Sequence, residues 1–89
     1  MVRKEITIVN KLGLHARAAA KFVTLASSFD SDIRLARANR AVNGKSIMGV
    51  MMLAAAKGAS LELTAEGEDE QQALSKLEQL ILDRFGEAE

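Results

Sequence analysis

The chain has 89 residues, nearly half of them hydrophobic, with twelve basic and twelve acidic side chains. This length suits one folded domain, so residues 1–89 are predicted to form a single unit. The formal net charge of zero argues against nucleic acid as the main partner, because nucleic-acid-binding proteins carry a clear basic excess. With no cysteine and one histidine, we expect neither a disulfide framework nor a metal site, and nothing in the sequence calls for a cofactor.

The location of the protein is predicted from two further features. The first residues lack the apolar core of a signal peptide. No apolar run is long enough to span a bilayer. We therefore expect a cytoplasmic protein without membrane insertion.

The first half of the chain alternates between strand and helix patterns. Residues 2–9 alternate polar and apolar side chains, which predicts a half-buried strand, and residues 10–14 form a loop. Residues 16–28 have helical spacing, with His15 immediately before the first turn. A second strand is predicted around Ile33 and Leu35, followed by a hairpin turn at Ala38 and Asn39, since asparagine tolerates positive φ, and by a return strand over 40–43.

The second half begins with Ser46 as the N-cap of an apolar helix over 47–56, which Lys57 and Gly58 would end. Residues 60–66 predict another strand. Asp69 and Gln72 resemble a capping box at the start of a last helix that continues to Gly86. Residues 87–89 are predicted to be a frayed tail.

The resulting order is β-α-β-β-α-β-α, and each strand alternates on one face only. This pattern predicts an α+β fold in which a mostly antiparallel sheet carries its helices on one side.

His15 is the candidate reactive group. A neutral imidazole is a nitrogen nucleophile at neutral pH, and its attack on a phosphoryl group gives a phosphoramidate that passes the group on readily. The free backbone N–H groups of the first helical turn, those of Ala16 and Arg17, together with the helix dipole, suit the transferred anion. The Arg17 guanidinium adds bidentate phosphate contacts. The motif predicts a phosphoryl acceptor at a helix N-terminus.

Other interpretations of His15 stay open on residue type alone. A lone histidine before a helix is most often a surface or capping residue, and Arg17 alone is most often a solvated helix residue. A hydrolase with His15 as general base is disfavoured, because no nucleophile or orienting acid lies beside it in the chain.

Ser46 and the helix after it suggest a partner surface. Ser46 is either a plain N-cap or a phosphorylation site, since a phosphate there would suit the helix terminus and add charge. One side of the helix carries Val50, Leu53 and Ala54, and the other carries four large apolar side chains, Ile47, Met48, Met51 and Met52. We expect some of this surface to be exposed for docking, against the alternative of a tightly buried helix. A non-catalytic regulatory module docking through helix 47–56 is therefore the alternative function.

Three segments of the chain closely resemble the histidine-containing phosphocarrier protein family, HPr. They are Leu12-Gly13-Leu14-His15-Ala16-Arg17-Ala18-Ala19, Asn43-Gly44-Lys45-Ser46-Ile47-Met48-Gly49-Val50 and Gly67-Glu68-Asp69-Glu70. The resemblance covers essentially the whole chain. It implies an open-faced sandwich with four antiparallel strands in the order 1-4-2-3 beneath three helices.

The resemblance also implies a role in the bacterial phosphoenolpyruvate-dependent phosphotransferase system. Enzyme I would phosphorylate Nδ1 of His15 with help from Arg17, and an enzyme IIA protein would then receive the group. In some members a dedicated kinase, opposed by a phosphorylase, acts on the serine that matches Ser46. The apolar surface beside Ser46 becomes the expected docking site. A shuttle of this kind is expected to be a monomer.

The sequence departs from the family at Ala18, where most members carry proline. Alanine keeps helix propensity and restores a backbone N–H, so we expect the site to survive. The alanine form resembles HPr-related proteins of proteobacteria, including the nitrogen-related branch. Sugar transport and nitrogen-related regulation both stay open as the pathway.

Overall fold

The computed structural model describes all residues from Met1 to Glu89. One antiparallel sheet of four strands has the order β1-β4-β2-β3. The α+β class, the element order and the 1-4-2-3 sheet order are thereby confirmed. The elements are β1 (Val2–Thr7), α1 (Ala16–Ser27), β2 (Asp32–Arg37), β3 (Arg40–Asn43), α2 (Ile47–Met52), β4 (Ser60–Glu66), α3 (Glu70–Leu82) and a 3₁₀ turn (Arg84–Gly86).

The core lies between the sheet and the helices because each long strand buries alternate side chains. Ile6 lies opposite Leu61, and Leu35 lies opposite Leu63 across the antiparallel pairs. These side chains are buried together with apolar residues of α1 and α3, including Phe22, Ala26, Leu77 and Ile81. Burying this face is the main favourable contribution to folding, and it fixes α1, which carries His15 at its start.

The prediction of a helix over 47–56 is wrong in its second half, because α2 ends at Met52. Ala54 has a φ of 51°, so the chain leaves the helical conformation there. Arg37 Nη1 donates to the carbonyl of Leu53 at 2.9 Å, and Arg40 Nη1 donates to that of Met52 at 3.0 Å. Guanidinium groups from the β2–β3 hairpin therefore satisfy the last carbonyls of α2, where a longer helix would have bonded them internally.

The predicted capping box at Asp69 is also wrong. The Asp69 carboxylate caps nothing in α3 and instead accepts hydrogen bonds from the Asp30 amide at 2.9 Å and the Ser31 amide at 3.0 Å. The Ser31 hydroxyl also donates to it. The pKa of Asp69 lies below its ordinary value, chiefly because of the Ser31 hydroxyl and then the Asp30 amide. Asp69 therefore ties the turn after α1 to the start of α3.

The end of the chain differs most from expectation. Helix α3 ends at Leu82, not at Gly86, and Arg84, Phe85 and Gly86 then have φ values of 59°, 55° and 80°. This left-handed turn buries the Phe85 ring and reverses the chain. Lys21 Nζ donates to the Phe85 carbonyl at 2.7 Å, which pins the turn to α1. Residues 87–89 are therefore directed back toward the start of α1, and the prediction of a frayed tail is wrong.

Two smaller differences concern strand ends. Strand β1 stops at Thr7, two residues short of the predicted end, although the Ile8 amide still donates to the Ala59 carbonyl at 2.9 Å. The predicted hairpin turn at Ala38 and Asn39 is present between β2 and β3, but the positive φ, of 54°, falls on Ala38 and not on Asn39. None of the helices combines the length and the apolar character that crossing a membrane requires.

Candidate functional site

His15 is the N-cap residue of α1. Its backbone is extended, with φ −74° and ψ 176°, and its carbonyl accepts from the Ala19 amide at 2.8 Å. Its side-chain Nδ1 accepts from the Arg17 amide at 3.3 Å. An imidazole thus takes the place that a serine or aspartate oxygen usually occupies at a helix start. This capping contact holds the ring over the first turn of the helix.

The loop before His15 is held against the chain that follows α2. Gly13 has a φ of 68°, and a β-carbon there would lie 2.4 Å from the Ala55 carbonyl oxygen. The Leu14 amide donates to the same Ala55 oxygen at 2.8 Å. The irregular chain after α2, which replaces the predicted helical turns, thus supports the His15 loop.

Glu87 lies on the other edge of the imidazole. One of its carboxylate oxygens, Oε2, contacts Nε2 of His15, and the other, Oε1, accepts from Nδ2 of Asn10 at 3.0 Å. Asn10 is fully buried, and its Nδ2 also donates to the Gly13 carbonyl at 2.9 Å. The hydrogen bond from Asn10, followed by that from His15, lowers the pKa of Glu87 below its ordinary value.

Glu87 was not identified from the sequence. It is separated from His15 by 72 positions and stands in a short polar stretch typical of a chain end. No spacing rule connects two residues so far apart. The only local signal was Gly86, which was interpreted as a helix stop and in fact completes the left-handed turn.

The two contacts of the imidazole specify the same tautomer. An ionised carboxylate only accepts hydrogen bonds, so the nitrogen facing Glu87, Nε2, carries the proton. A backbone amide only donates, so the nitrogen facing Arg17, Nδ1, presents its lone pair. Nδ1 is therefore the ring nitrogen that carries a lone pair, and it lies at the positive end of α1.

Several donors in the first turn of α1 have no partner in the protein. The amides of Ala16 and Ala18 donate to no other group in the protein, and the exposed Arg17 guanidinium takes part in no hydrogen bond or ion pair. Lys11 and Lys21, by contrast, are engaged with Glu89 and with the Phe85 carbonyl. Arg17 is therefore the free cation nearest to His15 in the sequence.

Ser46 and the four docking candidates belong to α2 and its N-cap. Ser46 is the N-cap of α2, as predicted, and its Oγ accepts from the Gly49 amide at 3.1 Å. It shares no hydrogen bond with His15 or Arg17. The four apolar side chains of α2 are exposed: Ile47 by 41%, Met48 by 68%, Met51 by 39% and Met52 by 58%. Val50 and Leu53 are buried. This exposed group is called the α2 patch below.

Comparison with known proteins identifies relatives over the full length of the chain. Residues 2–83 match the family model described as the PTS HPr component phosphorylation site. The chain is 53% identical over 89 residues to phosphocarrier protein HPr of Cupriavidus necator, covering 100% of both chains. It is similar to the crystal structure of HPr-C-His from Thermoanaerobacter tengcongensis, with a TM-score of 0.96, 48% identity and 100% of both chains covered.

A second solved structure from the same organism is an HPr dimer. The similarity there has a TM-score of 0.79 at 49% identity, covering 98% of this chain and 100% of the other.

Proposed function

The chain belongs to the HPr family of phosphocarriers of the phosphotransferase system, and on that basis we propose that His15 accepts a phosphoryl group from enzyme I and passes it to an enzyme IIA protein. The observation that carries the proposal is the state of the imidazole. Its Nδ1 presents a lone pair at the start of α1, beside backbone donors and an arginine that have no other partner. Residues 1–89 act in this proposal as one phosphocarrier domain.

In the transfer step the Nδ1 lone pair of His15 attacks phosphorus, and the bond between phosphorus and the atom of enzyme I that carries it breaks. The electron pair of that bond stays on the enzyme I atom. The Arg17 amide is released from Nδ1 as the new bond forms, so it joins that of Ala16 as a donor to the phosphoryl oxygens. The Arg17 guanidinium offsets the charge of the group. Transfer to enzyme IIA is the same step in reverse.

The experiment that tests this function combines the protein with enzyme I and phosphoenolpyruvate. The wild-type chain is expected to gain one acid-labile, base-stable phosphate, and His15→Ala is expected to gain none, because no second histidine is present. Intact-protein mass spectrometry counts the phosphate. A wild-type chain that stays unmodified, or a His15→Ala variant that gains as much, contradicts the proposal.

The α2 patch is the proposed docking surface for enzyme I and enzyme IIA. Four exposed apolar side chains on one short helix form an unusual surface for so small a protein, and methionine adapts to partners of different shape. The same exposure favours the second candidate function, a non-catalytic regulatory module. That candidate is correct if His15→Ala keeps the cellular role of the protein and Met48→Glu abolishes it.

Regulation at Ser46 is part of the proposal. A phosphate on Ser46 would remain at the N-terminus of α2 and place negative charge beside the α2 patch. Ser46→Asp keeps an N-cap oxygen and adds charge, so enzyme I is expected to phosphorylate His15 about tenfold more slowly, since one desolvated charge weakens docking by that order. Ser46→Asn is the uncharged control. Equal transfer rates for Ser46→Asp and Ser46→Asn contradict a charge-based switch, whether or not a Ser kinase and phosphorylase accompany the protein.

The cellular location, the oligomeric state and the pathway are proposed from the same role. We place the protein in the cytoplasm as a monomer, since a carrier must present His15 to enzyme I and enzyme IIA in turn. Sedimentation at several concentrations distinguishes the monomer from a dimer like the one solved for the T. tengcongensis relative. Sugar transport and nitrogen-related regulation are distinguished by which enzyme IIA protein accepts the phosphate.

A further inference from the structure

We propose that Glu87 is a positioning residue for His15, whose carboxylate holds the proton on Nε2 and so keeps the lone pair on Nδ1. The inference rests on the proposed function, because it assigns a role within the same transfer. It concerns a side chain that does not touch the phosphoryl group. Glu87 contacts the far edge of the imidazole, opposite the nitrogen that would react.

The conformation of the backbone after α3 brings this carboxylate to His15. Three consecutive residues after α3 adopt positive φ, and two of them, Arg84 and Phe85, carry side chains that rarely adopt it. Strained conformations of this kind persist where the surrounding structure holds them, and they cluster at functional sites. Here the holding contacts are the buried Phe85 ring and the hydrogen bond from Lys21 to the Phe85 carbonyl.

Two further anchors hold the segment beyond the turn. The Lys11 amide donates to the Glu89 carbonyl, and Asn10 Nδ2 donates to Glu87 Oε1. Asn10 joins the carboxylate to the His15 loop directly, because the same Nδ2 also donates to the Gly13 carbonyl. One buried side chain therefore joins the carboxylate to the loop that precedes the imidazole.

A carboxylate is required at this position because both of its oxygens must accept. Oε1 accepts from Asn10 and Oε2 accepts from His15. Glutamine has a single side-chain acceptor, so it could satisfy Asn10 only by turning its NH₂ group toward His15. Nε2 would then have to accept, which moves the proton to Nδ1 and removes the lone pair that attacks phosphorus.

The same contact supports the transfer step itself. When Nδ1 bonds to phosphorus, the ring gains positive charge while the proton on Nε2 stays in place. The Glu87 carboxylate lies against that N–H and offsets the charge without taking part in any bond that forms or breaks. Glu87 would thus favour the phosphorylated form and the reactive tautomer with one contact.

The test measures the tautomer and the transfer rate separately. ¹⁵N NMR of the neutral imidazole reports the ratio of Nε2–H to Nδ1–H, and quench-flow with phosphorylated enzyme I reports the rate. Glu87→Gln is expected to lower both the tautomer ratio and the transfer rate by about tenfold, because a charge-assisted hydrogen bond is replaced. A variant ending at Gly86 is also expected to lower the tautomer ratio and the transfer rate. Glu89→Gln, which removes a charge from the same segment without touching His15, is the control.

The inference is overturned if Glu87→Gln and the shortened variant both keep the wild-type tautomer ratio. A slower rate with an unchanged ratio overturns it too, because the segment would then act on docking and not on the imidazole. Failure of the proposed function looks different: the wild-type chain would accept no phosphate, while the NMR measurement on the free protein would still decide the role of Glu87.

Discussion

Replacing Arg17 with alanine is expected to slow phosphoryl transfer to His15 by about a hundredfold, since one preorganised donor to a transferring group contributes about that much. The guanidinium is exposed and has no partner in the protein, so its removal disrupts no internal contact. The free energy of unfolding is therefore expected to stay unchanged. Quench-flow with phosphorylated enzyme I measures the rate, and thermal unfolding measures the stability.

Arg17→Lys separates charge from geometry in the same assay. Lysine keeps the positive charge but cannot form two parallel hydrogen bonds with a phosphoryl group, so an intermediate rate is expected. Arg3→Ala is the matched control, since it removes an exposed arginine from β1, whose pair with Glu62 spans 4.0 Å. An Arg17→Ala variant as fast as Arg3→Ala would show that Arg17 does not assist the transfer.

Gly13→Ala is expected to destabilise the fold by about 3 kcal/mol or more, from left-handed backbone strain together with steric overlap. A β-carbon at Gly13 would lie 2.4 Å from the Ala55 carbonyl oxygen and 2.9 Å from the Ala56 Cα. Both are backbone atoms, so neither can rotate away. The melting temperature should fall by roughly 10–20 °C, and the displaced loop should carry His15 away from the start of α1.

Gly58→Ala is the control for this prediction. Gly58 also has a positive φ, of 93°, but a β-carbon there meets nothing within 4 Å. Its substitution therefore carries the strain without the overlap, and it should cost about 1–2 kcal/mol. Calorimetry on both variants measures the difference. Equal losses of stability would mean that the contact between the Gly13 loop and Ala55 contributes nothing.

The sheet and the start of α1 were predictable because local rules decide them. Polar and apolar alternation defined the strands, and the change to helical spacing after His15 placed the helix start. The end of α2 was not predictable in the same way. Ala54 and Ala55 are good helix formers, and the interactions that overrule their propensity come from Arg37 and from the Leu14 amide, both distant in sequence.

In the candidate site, too, the residues that are neighbours in sequence were predictable, and the one brought in by the fold was not. His15 and Arg17 are neighbours in the chain, so the helix-start pattern indicated both. Glu87 reaches the imidazole only through tertiary structure, so the absence of an acid beside His15 in the sequence did not exclude one in the folded site. Asp69 shows the same limit. Its carboxylate accepts a hydrogen bond from the Ser31 amide, 38 residues earlier, and none from its own helix.

The contact between His15 and Glu87 closes a loop of 72 residues, which includes most of the sheet and all three helices. Contacts of such long sequence separation carry a large loop-closure entropy, and they form only after the intervening elements have associated. We therefore expect the imidazole to acquire this tautomer late in folding. A partly folded chain would carry the histidine without this tautomer, so the reactivity of the site reports on the integrity of nearly the whole fold.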